Sequence, residues 1–250
     1  MGEHRAMSGR RGRLTGGLLL GAVASGTLAV ASLSSAGTAS ATCASISGFN
    51  NGNGCESTPT SFAIGLGPNA QASAQGVSNT AIAIGADSKA FATGAGNFAR
   101  ASGTGAGALA EGFANSAVSN GSGATAFAVG FNNVAVANGT DAVAQAGSSR
   151  GSDLGNVAIA TGSPGPNRGS IFGPDSDHPT IAVATGYFSR ANAIGDGSVA
   201  IAAGGVNNRA LTVGNGSNSL AGAFPTGSLS NKFAAAIGDN KNATNTVVGP

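Results

Sequence analysis

The sequence predicts an all-β fold, a parallel β-solenoid or β-roll built from nine-residue A-x-A-x-G repeats with about 18 residues per coil. Three observations predict it: evenly spaced glycines, alanines at fixed offsets from them, and a second period twice as long.

The glycines Gly67, Gly76, Gly85, Gly94, Gly103, Gly112, Gly121, Gly130 and Gly139 stand nine residues apart. Four residues before each lies an alanine, from Ala63 to Ala135, and Ala144 continues the series. Two residues before each glycine there is again alanine, except at Gly65 and Ser119. In a strand alternate residues share a face, so both alanines of a unit point to one side. Glycine is expected at the strand end, where a positive φ or a close backbone approach is needed. So short a unit cannot bury a face alone, whereas parallel stacking closes a thin, alanine-lined core.

The longer period lies three residues into each unit. Ser61, Asn79, Asn97, Asn115 and Asn133 alternate with Ala70, Ser88, Ala106, Ala124 and Ala142. Two nine-residue halves therefore face each other in a flattened roll. The four asparagines are expected to stack at one corner as an amide ladder.

Composition agrees. The chain of 250 residues has 43 glycines, 9% charged and 5% aromatic residues and no Trp. Disordered chains are usually more charged and polar than this, and large side chains are too sparse for a conventional jigsaw core. Residues 1–41 read as an export signal. Arg5, Arg10, Arg11 and Arg13 precede an apolar stretch from Gly16 to Leu33, and Ala39-Ser40-Ala41 follows as a small-residue cleavage site. Arg10-Arg11 raises the twin-arginine route beside the general secretory one. The rival reading is an uncleaved membrane anchor, against which Gly, Ser and Thr dilute the apolar run. Cleavage leaves eight basic and nine acidic residues, net −1, with no stable membrane insertion and no basic patch for nucleic acid.

Residues 42–58 read as an N-terminal cap. Cys43 and Cys55 are the only cysteines, and an oxidising destination predicts a disulfide between them. A lipoprotein acylated at Cys43 is the alternative, but Ser40-Ala41-Thr42 does not fit such a site. Regular repeats fill 59–147, and 148–250 holds degenerate ones. Units at 154–162, 178–186, 187–195, 196–204, 206–214 and 230–238 are interrupted by 163–177, whose prolines predict a protruding loop.

The runs TAIAIGADSKAFATG and SGATAFAVGFNNVAVANG resemble the head repeats of YadA-type trimeric autotransporter adhesins. That resemblance implies a left-handed parallel β-roll, a homotrimer, and binding to surfaces or matrix through a ligand it does not identify. It covers residues 59–147 and, more loosely, 154–247. The period here is nine where the family has about seven per half-turn. No stalk or membrane barrel pattern follows, so the expectation is a head-like domain exported alone.

Chemistry-bearing constellations are sparse. Calcium-binding nonapeptide rolls repeat their aspartates, whereas Asp87 and Asp141 are isolated. Asp175, Asp177 and His178 form the only dense polar cluster, which reads as a solvated loop rather than a cation site. His4 lies in the export signal, no nucleophile elbow accompanies His178, and Gly103-Thr104-Gly105 lacks the lysine of a phosphate loop. The sequence points to no enzyme, cofactor or metal.

The informative residues flank the alanines: Ile64, Ile82, Phe91, Leu109, Phe127 and Val136 among them. If the alanines point inward these form exposed apolar ribbons, which soluble monomers rarely carry, and they become the oligomer face. If bulky side chains fill the interior instead, the roll is wider and monomeric. The expected function is that of a secreted or cell-surface structural or interaction protein, resembling an adhesin head. The alternative is a monomeric ligand- or ice-binding module, although Thr80, Thr93, Thr104, Thr125 and Thr140 do not share one repeat position.

Overall fold

A computed structural model of the chain describes residues 42–51, 54–148, 153–167, 176–222, 229–245 and 247–248. The export signal expected over 1–41 lies outside them. The alternating alanines fold as short strands that stack into two long sheets, one of 12 strands and one of 10, back to back around a common interior. The chain crosses from one sheet to the other at every half-turn. Strands Phe62–Leu66, Thr80–Ile84, Phe98–Ser102, Ser116–Asn120 and Val134–Asn138 pair in parallel in the first sheet. Gln71–Val77, Lys89–Ala95, Gly107–Phe113, Thr125–Phe131 and Val143–Ala146 do so in the second. Every partner lies 18 residues away, so the register follows the sequence period: Ala81 sits over Ala63 and under Ala99.

The alanines face inward. Ala63, Ala81, Ala83, Ala90, Ala92 and their successors are fully buried in one continuous cluster. The bulky residues between them point out. The wider, inverted roll is thereby excluded. Such a core leaves room for methyl groups and little else, which explains the strictness of the repeat. Its two exceptions have different meanings. At Gly65 a Cβ would stand 2.6 Å from the Cys43 Sγ, so the cap requires a residue without one. At Ser119 the hydroxyl is buried and has no hydrogen-bond partner among the described residues. Ser119→Ala is therefore expected to stabilise the protein by about 1 kcal/mol, the cost of an unsatisfied buried hydroxyl, as an upward shift in the chemical-denaturation midpoint.

The two corners differ chemically. At one, the Asn79 Oδ1 accepts the Asn97 N–H at 2.8 Å, Asn97 accepts from Asn115 at 2.9 Å and Asn115 from Asn133 at 2.9 Å. The Nδ2 of Asn79, Asn97 and Asn115 meanwhile donates to a carbonyl four residues earlier and to another 15 ahead, as Asn97 does to Thr93 and Gly112, whereas Asn133 donates to Val129 and, 20 residues ahead, to Asp153. The ladder runs on through Asn156 to the Ser189 N–H. At the other corner small side chains and hydroxyls suffice. The Ser88 hydroxyl donates to the Gly85 carbonyl at 2.9 Å and Thr180 to Gly195 at 2.9 Å.

The stack starts with an inverted strand. Thr42–Ile46 pairs antiparallel with Phe62–Leu66, and Phe49–Asn50 folds back along its outer side. This arrangement covers the first parallel strand, whose open edge would otherwise recruit another chain. A Cys43–Cys55 disulfide, with Cα atoms 5.4 Å apart, ties the cap to the second sheet. Closing a loop of this size stabilises by about 3 kcal/mol on the chain-entropy model. Reduction should therefore raise amide hydrogen exchange in 42–66 and leave 107–146 protected. Equal loss of protection in both would show that the cap does not behave as a local unit.

Beyond Ala146 the coil-to-coil step lengthens without breaking the ladders. Asn133 to Asn156 spans 23 residues, Asn156 to Ser189 spans 33, Asp196 to Asn215 spans 19 and Asn208 to Lys232 spans 24. The strand register survives these steps: Val134 still pairs with Val157 and Val157 with Arg190. Within 163–177, expected as a loop, the described residues form a short antiparallel ladder in which Gly165 pairs with His178 and Asn167 with Ser176. Pro166, with no N–H to give a parallel sheet, stands within this ladder opposite Asp177. The stretch after 214 hides a further strand, Asn218–Gly222, in the second sheet. There Ser219 stands where the repeat has alanine, and its hydroxyl pairs across the core with that of Thr212 at 2.7 Å.

Candidate interaction surfaces

The residues singled out as one apolar face lie on two. Ile64 and Ile82 stack in the middle row of the first sheet, and Val136 belongs to the same row beyond Arg100 and Val118. Phe91, Leu109 and Phe127 form the middle row of the second sheet. The alternation of each strand sends these side chains outward, and the two sheets face opposite ways. Neighbouring units in the sequence therefore contribute to opposite surfaces, a consequence of two half-turns per coil.

The glycines fall into two classes. Gly67, Gly85, Gly103, Gly121 and Gly139 directly follow the strands of the first sheet. In the second sheet Gly76, Gly94, Gly112 and Gly130 lie inside longer strands, and pairing continues one residue beyond each. That extension creates a feature the repeat pattern concealed. Val77, Ala95, Phe113, Phe131, Leu154, Tyr187 and Val206 stack in register along one corner. Phe113 is 53% exposed and Phe131 47%, their ring centroids 6.4 Å apart. The signal was present as aromatic residues 18 apart, but reading glycine as the strand end assigned them to turns.

The two outer faces differ in charge. Across its width the first sheet presents Arg100, Arg190 and Arg209, with Arg190 directly over Arg209, and no acidic residue. An open depression beside these two arginines has Val157, Ile159, Asn192, Leu211 and Phe233 in its walls. The second sheet presents Lys89 near one edge and Glu111 near the other, with Glu56 at its first strand. A shallow hollow there is lined by Glu56, Gln71, Ser73, Gln75 and Phe91. Towards the far end Val199 and Ile201, each only 1% exposed, join Ala203, Ile181, Val183 and Leu220 in a second apolar cluster. There Val199, Ile201 and Ala203 are withdrawn from solvent, while Ile181, Val183 and Leu220 remain half-buried.

Among the described residues no group of three or more His, Cys, Asp or Glu is placed to hold a metal ion. Asp177 and His178 occupy the hairpin strand Ser176–His178, and Asp175 lies outside the described residues. Asp153 is buried, its Oδ1 accepting the Gly186 N–H at 2.9 Å while Oδ2 has no hydrogen-bond partner among the described residues. It holds a corner together at the lengthened step. The threonines considered for a regular polar array are dispersed: Thr80 lies on the first sheet, Thr93 and Thr125 on the second, and Thr104 and Thr140 in turns. Among the described residues no helix is long and apolar enough to cross a membrane. Compared with protein-family models, with curated proteins and with solved structures, the chain matches none.

Proposed function

We propose that this chain is an exported structural or interaction protein, a self-associating β-roll that offers a repetitive surface for binding or for attachment to the cell envelope. One observation carries the reading: the methyl groups of the repeat are used up inside, while aliphatic and aromatic side chains line both outer faces. A single chain therefore leaves apolar surface in water that a partner would cover. Stacked strands without an enclosed pocket among the described residues suit a rod that presents surface rather than a site that holds substrate. A homotrimer, a secreted or cell-surface location and a head-like binding role extend this reading along the YadA-type resemblance.

The first test is molar mass by light scattering after size exclusion. A mass near three chains is expected, and a single-chain mass across the accessible concentration range overturns the oligomer. Culture fractionation with N-terminal sequencing tests export. A mature chain starting at Thr42 is expected in the medium or on the cell surface, and retention of residues 1–41 would count against it.

A further inference from the structure

We propose that the outer face of the second sheet, from Gln71 to Ala146, is where copies of this chain meet, side by side and with their coil axes parallel. The inference rests on the self-association reading above and names the face that performs it.

Three features of that face converge. The first is its anchor row. Phe91, Leu109 and Phe127 stack over three successive coils, flanked by the exposed pair Phe113 and Phe131. Aromatic side chains of this kind are the usual energetic centres of interfaces. With strands about 4.8 Å apart and a rise of about 3.3 Å per residue, the stretch covers roughly 24 Å by 20 Å. Allowing for side-chain relief, this is comparable to the ~800 Å² that each partner contributes to a standard interface.

The second feature is charge placement. Lys89 pairs in register with Gly107, and Thr93 with Glu111, so Lys89 and Glu111 stand at opposite ends of neighbouring strands. They lie too far apart to meet within one chain, and neither side chain has a hydrogen-bond or ionic partner among the described residues. A rotation about an axis parallel to the coils, twofold or threefold, brings the Lys89 edge of one copy against the Glu111 edge of the next. One coil of offset then separates the two charges, within reach of a lysine side chain. The other face offers nothing equivalent: the same rotation would gather the Arg100 side chains at one height in its middle row with no acid among them.

The third feature is Gly107. Its φ is not in the left-handed region, and a Cβ there would meet only the Thr125 side chain, at an ordinary 3.7 Å. Nothing in its own chain calls for glycine. A strand-interior glycine of this sort marks a place where another chain approaches closely. It lies on the strand of Glu111, at the edge that an incoming Glu111 of another copy would occupy.

The test is a charge exchange in the full chain, followed by light scattering and sedimentation over a concentration series. Lys89→Glu and Glu111→Lys should each weaken association at least tenfold, and the double exchange should recover it to within about threefold of the parent. Gly107→Gln should fold, with a thermal midpoint at high dilution equal to that of the parent, and lose association. Arg100→Glu, on the opposite face, should leave association unchanged. Silent single exchanges, or a double that does not recover, overturn the assignment of this face. If the parent assembles and only Arg100→Glu disturbs it, the face is wrong and self-association stands. A parent that is monomeric throughout removes both.

Discussion

Replacing Asn115 with alanine is expected to lower stability by about 4 kcal/mol, although no apolar contact of consequence is lost. Asn115 is only 1% exposed. Its Oδ1 accepts the Asn133 N–H at 2.9 Å, and its Nδ2 donates to the carbonyls of Glu111 at 2.6 Å and Gly130 at 2.7 Å. Truncation removes the side-chain partner of three backbone groups in a corner without room for several waters. Each buried group left unsatisfied costs about 1–3 kcal/mol, and the low end of that range for all three, with a small cavity added, gives the estimate. The comparison variant is Asn120→Ala, whose side chain donates to Asn138 on the outer surface. Water replaces that bond, so the change should stay within about 0.5 kcal/mol. Chemical denaturation of the two variants decides the matter, and equal losses would show that the corner ladder is no stronger than an exposed one.

Gly94→Ala should cost more, about 5 kcal/mol. Its φ is 112°, a region closed to side-chain-bearing residues. An added Cβ would also stand 2.0 Å from the Gly112 carbonyl oxygen, so neighbouring coils would have to part. Strain and separation act together, which places the change among the exceptional single substitutions. Because each coil contacts mainly its neighbours, the damage should be local. Unfolding is expected to split into two steps, with coils on either side of residue 94 separating in cooperativity. Gly107→Ala provides the contrast, expected to be neutral or stabilising by up to about 1 kcal/mol, since glycine there serves no need of its own chain. A single unfolding step for Gly94→Ala with an unchanged midpoint would mean that the coil spacing is more compliant than the stacking implies.

Much of this architecture was legible because a methyl-lined interior admits almost no variation. Ala81 and Ala99 repeat where a larger core would have permitted Leu, Val or Met in exchange, and the period stays visible. The asparagine corner was legible for the same reason, since one hydrogen-bond geometry recurs at each turn. Legibility failed where the physics allowed substitution. Asn218–Gly222 escaped notice because Ser219 and Thr212 satisfy each other across the core in place of two methyls. Asn156 and Asn208 continue the corner chemistry, but lengthened steps move them out of the 18-residue count. The surface was least legible. A two-residue alternation says that Ile82 and Phe91 point outward but not that they emerge on opposite sides, since that depends on where the chain turns. The Phe113 and Phe131 ridge depended on one further residue of strand beyond each glycine.

The lengthened steps have a consequence of their own. Steps of 23, 33, 19 and 24 residues stand among those of 18, yet the strand partners stay aligned. Pitch along the rod is thus uncoupled from the amount of chain spent on each turn. Doubling a loop costs only about 0.6 kcal/mol in closure entropy, so the corners can lengthen while the spacing of about 4.8 Å between coils remains fixed. The molecule behaves as a ruler whose graduations do not move when labels of different length are hung from them. Foreign peptides spliced between Gly147 and Asp153, or into 163–177, would be displayed at set heights along that ruler.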